Sequence, residues 1–259
     1  MDKNIYAHFH PDERVFVDQA WDWVRRVAEH HAVKLTDFLD PRQAYIVTTL
    51  ANRADIRIRL DGGYEGAERK RAILVPDYRD PEDVSSGIRV LAITSNDRKF
   101  AELDHGDFLG AILGLGVKRD KVGDIHVLGD VCHVLIAEEI GDFFDLHLRQ
   151  VHRVNVLTEL LPLDRLQVKE TELEERILSV ASMRLDGIAS DVWNLSRGKV
   201  TEPIKAGRCR VNWKVEEDPS TPLKPGDVVS LKGLGRFKVL DMEGATKKGR
   251  LRVRIGKYV

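Results

Sequence analysis

The sequence predicts an α+β fold in three parts, and two observations support this prediction. Apolar residues such as Ala20, Val24 and Val27 recur at helical spacing, and short apolar or alternating runs further on indicate strands. Charge also divides the chain, since residues 182–259 hold 17 Lys/Arg and 9 Asp/Glu, a net charge of +8, whereas residues 1–181 hold 24 and 33, a net charge of −9. A basic module beside an acidic body indicates separate domains and a polyanionic partner.

Residues 1–80 are predicted to form an N-terminal helix-hairpin domain. After the first helix, Asp40-Pro41 marks the start of a second one, because proline is tolerated at the first helical position. The alternating stretch 55–60 and the apolar stretch 72–75 predict the two strands of a hairpin. The segment 61–71 between them is rich in glycine, which permits positive φ, so it predicts a tight, shaped loop.

Residues 81–165 are predicted to form a ferredoxin-like (RRM-like) domain. The pattern is strand, helix, strand, strand, helix, strand, which is the split βαβ arrangement. We place the strands at 88–94, 124–128, 131–137 and 151–160, and the helices at 104–115 and 138–150. The third strand has no aromatic residue that could stack on a base, so a structural role is favoured for this domain. Residues 162–181 are interpreted as a linker or a solvated edge.

Residues 182–259 are predicted to form a small basic module with two helices followed by strands. Ser182 and Ser196 are candidate N-caps for the helices, and Gly207 suits the end of the second. Pro203 lies inside that second helix and removes a backbone donor, so the helix is expected to be short or kinked.

Three stretches of this module alternate basic and apolar residues. They are 208–211, 236–239 and 250–255. Because strand side chains alternate between faces, each stretch would bury one face and direct positive charge outward from the other. One such strand would be an ordinary solvated face, but three in one module indicate a surface for a polyanion.

Several motifs resemble known RNA-binding proteins. One group resembles the RNA-binding domain of ribosomal protein S4, which is an αL-type module. Its motifs are Arg184–Asp186, Asn194–Arg197, Ile204–Gly207, Val211–Trp213 and Lys224–Val228. Those that resemble the YlmH family of RNA-binding proteins are Gly62–Ala72, Gly114–Arg119, Val122–Ile125, Ala137–Ile140 and Gly244–Arg250. The similarity covers essentially the whole chain.

The resemblance implies a set of RNA-contacting residues in the basic module, namely Arg184, Ser196, Arg197, Lys199, Lys205, Arg208, Arg210 and Asn212. Their chemistry supports the cationic members, because Lys and Arg neutralise phosphates and Arg offers a planar fork. The charge pattern adds Lys247, Lys248, Arg250 and Arg252 to this set, and Arg69, Lys70 and Arg71 as a second RNA contact. Asp186, near a helix start, is interpreted as structural rather than catalytic.

We expect no catalytic residue, cofactor or metal. The segment 244–249 has phosphate-loop spacing, but Arg250 replaces the required lysine, and Gly114-Leu-Gly116 lacks the third glycine of a dinucleotide fingerprint. The nine histidines contain no HExxH motif and the two cysteines no CxxC motif. No signal peptide or membrane span is predicted, so we expect a cytoplasmic protein, and we expect a monomer.

The expected function is non-catalytic binding of structured RNA, either rRNA or tRNA. The resemblance implies a bacterial ribosome-associated factor that acts in quality control on large ribosomal subunits retaining a peptidyl-tRNA. Two alternatives remain open. One is an RNA-modifying enzyme of the pseudouridine-synthase type, or its subunit, and the other is a division-linked scaffold that binds protein.

Overall fold

The structure, a computed structural model, describes residues 9–170, 172–245 and 249–258. The chain divides into two compact units, Met1–Lys169 and Glu170–Val259. Each unit combines helices with antiparallel sheets, so the predicted α+β class is confirmed.

The first part of the N-terminal unit consists of two helices and a three-stranded antiparallel sheet of order β1-β3-β2. In chain order its elements are α1 Arg14–His30, β1 Lys34–Leu39, α2 Pro41–Arg53, β2 Arg57–Asp61 and β3 Lys70–Val75. Both helices share one apolar core with β3. The second helix begins as predicted, because the Asp40 carboxylate accepts a hydrogen bond from the Gln43 backbone at 2.8 Å.

The sequence pattern does not predict strand β1, which pairs with β3. The pairing register shifts between Leu35 and Phe38, and the buried residues Phe38 and Leu39 follow one another. This breaks the period of two by which a half-buried strand is recognised. The hairpin expected over residues 55–75 is therefore two strands of a three-stranded sheet.

The second part of the N-terminal unit contains a four-stranded antiparallel sheet of order β5-β6-β4-β9. Its elements are β4 Ile88–Thr94, α3 His105–Gly114, β5 Val122–Val127, β6 Val131–Ala137, α4 Gly141–His147, β7 Gln150–Val151, β8 Val154–Asn155 and β9 Leu157–Leu161. Strands β4 and β6 have the predicted bounds, and α3 follows its cap Asp104.

Two predicted extents in this part are wrong, the helix over 138–150 and the single strand over 151–160. Helix α4 ends at His147, because the buried Leu148 takes an extended conformation. His152 has φ 51° and forms the turn of the small hairpin β7-β8, whose Val151 and Val154 are buried in the core. Only β9, at the end of the predicted strand, joins the main sheet.

The C-terminal unit is built on a six-stranded antiparallel sheet of order β10-β15-β14-β13-β11-β12. Its elements are β10 Leu173–Val180, α5 Leu185–Trp193, α6 Arg197–Lys205, β11 Cys209–Val211, β12 Lys214–Val215, β13 Val228–Leu231, β14 Gly235–Ala245 and β15 Leu251–Tyr258. The two helices pack on the apolar face of the sheet, around Phe237, Val253 and Ile255.

Residues 173–180 are an edge strand of this sheet, so the linker interpretation is wrong for them and the solvated-edge interpretation is correct. Strand β10 pairs with β15 along its whole length, from Leu173 to Val180. With this acidic strand included, residues 170–259 hold 18 Lys/Arg and 13 Asp/Glu, a net charge of +5. The unit is therefore less basic than the sequence division at residue 182 indicates.

The ends of the two helices differ from the prediction at one position. Ser182 is not an N-cap, because α5 begins two residues later than a cap at Ser182 would require, with Arg184 at the cap position. Ser196 caps α6 as predicted, and Gly207 follows that helix with φ 68°. The helix α6 runs through Pro203 to Lys205, so it does not stop at the proline.

Replacing Pro203 with alanine is expected to leave the C-terminal unit equally stable or to stabilise it by up to about 3 kcal/mol. Pro203 is an interior residue of α6 and cannot donate the hydrogen bond that alanine would offer to the preceding turn. Denaturant unfolding of the full chain measures the change. Gly198→Ala in the same helix is the control for helix propensity alone, because an added Cβ there meets nothing within 4 Å. A loss of stability in Pro203→Ala would show that the unit requires the proline.

Candidate RNA-binding surface

Two arginines of the predicted set lie near one buried aspartate at the start of α5. Arg184 donates to both carboxylate oxygens of Asp186, at 3.1 and 2.8 Å, and Asp186 is only 7% exposed. The hydrogen bond from Arg184 holds the pKa of Asp186 below its usual value, and the charge of Arg197 acts in the same direction. Gly187 leaves room for Arg197, because an added Cβ would lie 3.3 Å from its Nη2. Asp186 thus orients Arg184, in agreement with the structural role predicted for it.

The other predicted cations of the module follow along α6 and β11. Lys199 is in the first turn of α6, Lys205 is its last residue, Arg208 precedes β11, and Arg210 lies within β11. All four are exposed. The Ser196 hydroxyl accepts a long hydrogen bond from the Lys199 backbone at 3.5 Å, so it is engaged as the helix cap. We call Arg184, Arg197, Lys199, Lys205, Arg208 and Arg210 the cationic surface.

The turn after β11 contains Asn212, which the resemblance implies as an RNA contact. Its amide donates to Asp227 at 2.8 Å, and its carbonyl oxygen accepts from the Val228 backbone at 2.9 Å. Asn212 therefore braces the turn. Both Asn212 and Trp213 have positive φ, 51° and 65°. A non-glycine residue in this conformation costs about 1–2 kcal/mol. Neither Trp213 nor Asp227 stands out from sequence spacing alone.

The expected basic face does not extend continuously across the sheet. Strand β13, which carries no basic residue, lies between β11 and β14. On β15, Arg252 lies 3.4 Å from Glu243, and Arg254 lies 3.5 Å from Glu175. These carboxylates offset part of the positive charge at the β15 edge, and the RNA contact predicted for Arg252 stays a prediction. Edge strand β10 supplies Glu175, and the sequence alone does not pair it with Arg254.

Three other predicted contacts are Lys247, Lys248 and Arg250. Lys247 and Lys248 lie outside the described residues. Arg250 donates to the Ser179 hydroxyl at 3.1 Å and also to the Ser179 carbonyl, so its guanidinium connects to β10.

The second predicted contact, residues 69–71, lies within the N-terminal unit. Arg71 is 3% exposed and donates to the carbonyls of Thr36 and Gly87, both at 2.7 Å, and it lies 3.3 Å from Glu139. Its donors face protein groups, so it offers no surface to RNA, and the expectation of an RNA contact is wrong for Arg71. Lys70, in β3, is half-buried.

Arg69 is also engaged within the N-terminal unit. It donates to the carbonyls of Phe38 and Val122, at 2.8 and 3.2 Å, and burial lowers its pKa. The key partner of this loop is Asp124 of β5, which accepts from the Tyr64 hydroxyl at 2.9 Å and from the Glu68 backbone at 2.7 Å. The glycine-rich loop therefore fastens the two parts of this unit together.

A metal ion or an activated cysteine thiolate is one means by which an enzyme could act on RNA. Within the described ranges, no group of three or more His, Cys, Asp or Glu side chains could hold a metal ion. Cys132 and Cys209 are free and buried, and burial raises the pKa of both thiols, that of Cys209 to about 12. Neither is ionised at neutral pH. In the same ranges no helix has the length and apolar character that crossing a membrane requires.

Three family models match successive parts of the chain. "YlmH, N-terminal" matches residues 12–79, "Putative RNA-binding domain in YlmH" matches residues 81–165, and "S4 domain" matches residues 183–229. The cationic surface lies entirely within the S4 match.

Two relatives and one solved structure give the same result. Ribosome-associated protein quality control protein P2 of Bacillus subtilis (strain 168) is 40% identical over 250 residues, which cover 96% of this chain and 97% of that protein. Small ribosomal subunit protein uS4 of Dictyoglomus turgidum is 41% identical over 58 residues, which cover 22% of this chain and 28% of that protein. The structure of cell division protein ylmH from Streptococcus pneumoniae matches with a TM-score of 0.54 at 28% identity, and covers 62% of this chain and 98% of that one. Because the Bacillus relative is similar over almost the whole of both chains and all three models match in order, this chain belongs to the YlmH family and carries a C-terminal S4 domain.

Proposed function

We propose that this chain binds structured RNA, either rRNA or tRNA, through the cationic surface, and that it acts in ribosome-associated quality control on large subunits retaining a peptidyl-tRNA. The observation that carries the proposal is the grouping of six exposed cations within the S4 match, of which Arg184 is held by two hydrogen bonds to Asp186. Phosphates supply most of the affinity for such a surface. The Bacillus relative, named a ribosome-associated quality control protein, supports the biological setting.

We assign the RNA contact to the C-terminal unit because both faces of the β5-β6-β4-β9 sheet are covered. One face packs against α3 and α4, around Phe108 and Phe144. The other packs against Phe38, Leu163 and Leu166. A sheet face has to be open for bases to stack on it. This arrangement favours a structural role for the middle domain.

The domain assignment follows from the same observations. The strand order β5-β6-β4-β9, all antiparallel, supports a ferredoxin-like fold for residues 81–165. The family matches support boundaries near residues 80 and 165. The pairing of strand β10 with β15 supports a start of the third domain near Glu170 rather than at residue 182. Within this proposal the protein is a cytoplasmic monomer that needs no cofactor.

The protein is proposed to have no chemistry of its own on RNA. The buried thiols of Cys132 and Cys209 are poor nucleophiles, and the matched family models name RNA-binding and S4 domains. A missing modified nucleoside in the ribosomal RNA of a deletion strain would favour the RNA-modifying alternative.

The scaffold alternative draws on the Streptococcus structure, named a cell division protein. Pull-down with and without nuclease separates a protein partner from RNA.

The full chain is expected to co-sediment with large ribosomal subunits, and to do so less at high salt. With about five phosphate contacts, affinity should fall about 10²–10³-fold between 50 and 200 mM salt, taking duplex-DNA slopes as a guide. Gradient sedimentation of lysate at both salt concentrations measures the association, and filter binding across a salt series gives the slope. Protein that remains at the top of the gradient under all conditions would contradict the ribosome association, and a flat salt response would contradict the cationic surface.

A further inference from the structure

Trp213 adopts a backbone conformation that a bulky side chain rarely takes. It occupies the second position of the two-residue turn that joins β11 to β12, where Val211 pairs with Lys214. Its φ of 65° lies in the left-handed region, and the Asn212 before it has φ 51°. Such a turn favours Asn followed by Gly, so Asn212 suits its position and Trp213 does not. A bulky aromatic residue with positive φ is an outlier that requires an explanation.

The surroundings of the turn hold Trp213 in this conformation. Arg210 donates from Nη1 to the Trp213 carbonyl at 3.1 Å. Asn212 is fixed from the other side by Asp227 at 2.8 Å and by the Val228 backbone at 2.9 Å. Strain of this kind persists only where neighbouring groups determine the geometry, and it is concentrated at functional positions.

The indole of Trp213 does not serve the apolar core of its own unit. It is absent from the residues that pack against that core, which include the other tryptophan of the unit, Trp193. Among the residues that the structure describes, the Trp213 side chain makes no hydrogen bond and no ring contact, whereas Trp193 packs against Phe237 at 5.2 Å between ring centroids. The indole remains partly exposed. Folding therefore does not account for an aromatic residue at this position.

Three exposed cationic residues lie within five positions of Trp213 in the chain. Arg208 and Arg210 precede it and Lys214 follows it, and all three are exposed. An aromatic ring between side chains that neutralise phosphates is the combination by which proteins bind unpaired nucleotides, with the base on the ring and the backbone on the cations. We propose that Trp213 is the stacking platform for an unpaired base of the bound RNA, a role that rests on the proposed function and adds base contact to phosphate contact.

The test uses the full chain and two probes, a stem–loop RNA with an unpaired loop and a blunt duplex RNA of the same stem. Trp213→Gly is expected to weaken binding of the stem–loop by about 5- to 150-fold, the loss that removal of one stacked base produces. Binding of the duplex should stay within about two-fold of the wild type, because phosphate contacts are kept. The melting temperature of the C-terminal unit should hold or rise by a few degrees, since glycine relieves the positive φ.

Two further variants complete the design. Trp213→Phe keeps a ring and should retain most of the stem–loop affinity, whereas Trp213→Leu keeps apolar bulk without a ring and should lose it. Tyr45→Ala, which removes an aromatic side chain that is 57% exposed in the other unit, should change neither affinity nor the melting temperature of the C-terminal unit.

Each other outcome contradicts the inference. Equal stem–loop affinity in Trp213→Gly and wild type would show that no base stacks there, as would full affinity in Trp213→Leu or a parallel loss on both RNAs. A fall of several degrees in the melting temperature of Trp213→Gly would make the indole a structural element. If the wild type binds neither RNA, the result contradicts the proposed function, and the inference, which rests on that function, is contradicted too. If the wild type binds and Arg197→Ala with Arg208→Ala weakens it while Trp213→Gly does not, only the inference fails.

Discussion

Replacement of Arg71 by alanine is expected to destabilise the N-terminal unit by about 2–6 kcal/mol, because its buried guanidinium donates to two backbone carbonyls and each acceptor left unsatisfied costs about 1–3 kcal/mol. The loss of Arg71 would leave the Thr36 and Gly87 carbonyls without their donor and would open a cavity where the guanidinium lies. Denaturant unfolding of the full chain, followed by a probe of the N-terminal unit, measures the change. The stability of Arg71→Lys should lie between those of the wild type and Arg71→Ala, because one ammonium group does not reproduce the planar fork of the guanidinium.

Arg57→Ala is the matched control for this variant. Arg57 is an arginine of the same sheet, but 47% of its side chain is exposed and its partner Asp80 is 3.6 Å away. An exposed pair of this kind contributes about 0–1 kcal/mol. A stable Arg71→Ala variant with weakened RNA binding would reverse the assignment and return Arg71 to the RNA contact.

Replacement of both Arg197 and Arg208 by alanine is expected to lower the affinity for structured RNA by about 10- to 100-fold near 100 mM salt. The slope of log affinity against log salt should also decrease by about two, one unit for each phosphate that is no longer neutralised. Stability should change by less than about 1 kcal/mol, because both residues are exposed. Filter binding across a salt series measures affinity and slope, and circular dichroism checks that the fold is kept.

Arg252→Ala with Arg254→Ala removes the same number of charges from the β15 edge of the same unit. These arginines already face Glu243 and Glu175, so their removal should reduce affinity much less than the removal of Arg197 and Arg208. An equal reduction in affinity from both double variants would mean that RNA binding depends on the total charge of the unit and not on one surface. A larger reduction from the β15 pair would place the contact on the outer face of the sheet.

The sequence by itself determined the elements whose signals are local. Proline and aspartate begin α2, Ser196 begins α6, and continuous apolar runs give β4 and β6 their bounds, because capping and strand burial depend on residues a few positions apart. The motifs of the S4 module, and the incomplete match to a nucleotide-binding loop, are likewise read from residues a few positions apart. The cationic surface was named from residues that are close together in the chain, and its contact with RNA stays a prediction.

Only the tertiary structure decided which charges meet each other. Arg71 and Arg197 are both arginines in basic surroundings of the sequence, yet one is buried against Thr36 and Gly87 while the other is exposed. Edge strand β10, which is distant from β15 in the chain, brings Glu175 to Arg254. Such pairings follow from the order and register of the strands in the sheet, which bring together residues that are far apart in the chain. The sequence therefore shows that a residue is cationic, but only the fold decides whether its charge faces a carboxylate, a carbonyl or an RNA phosphate.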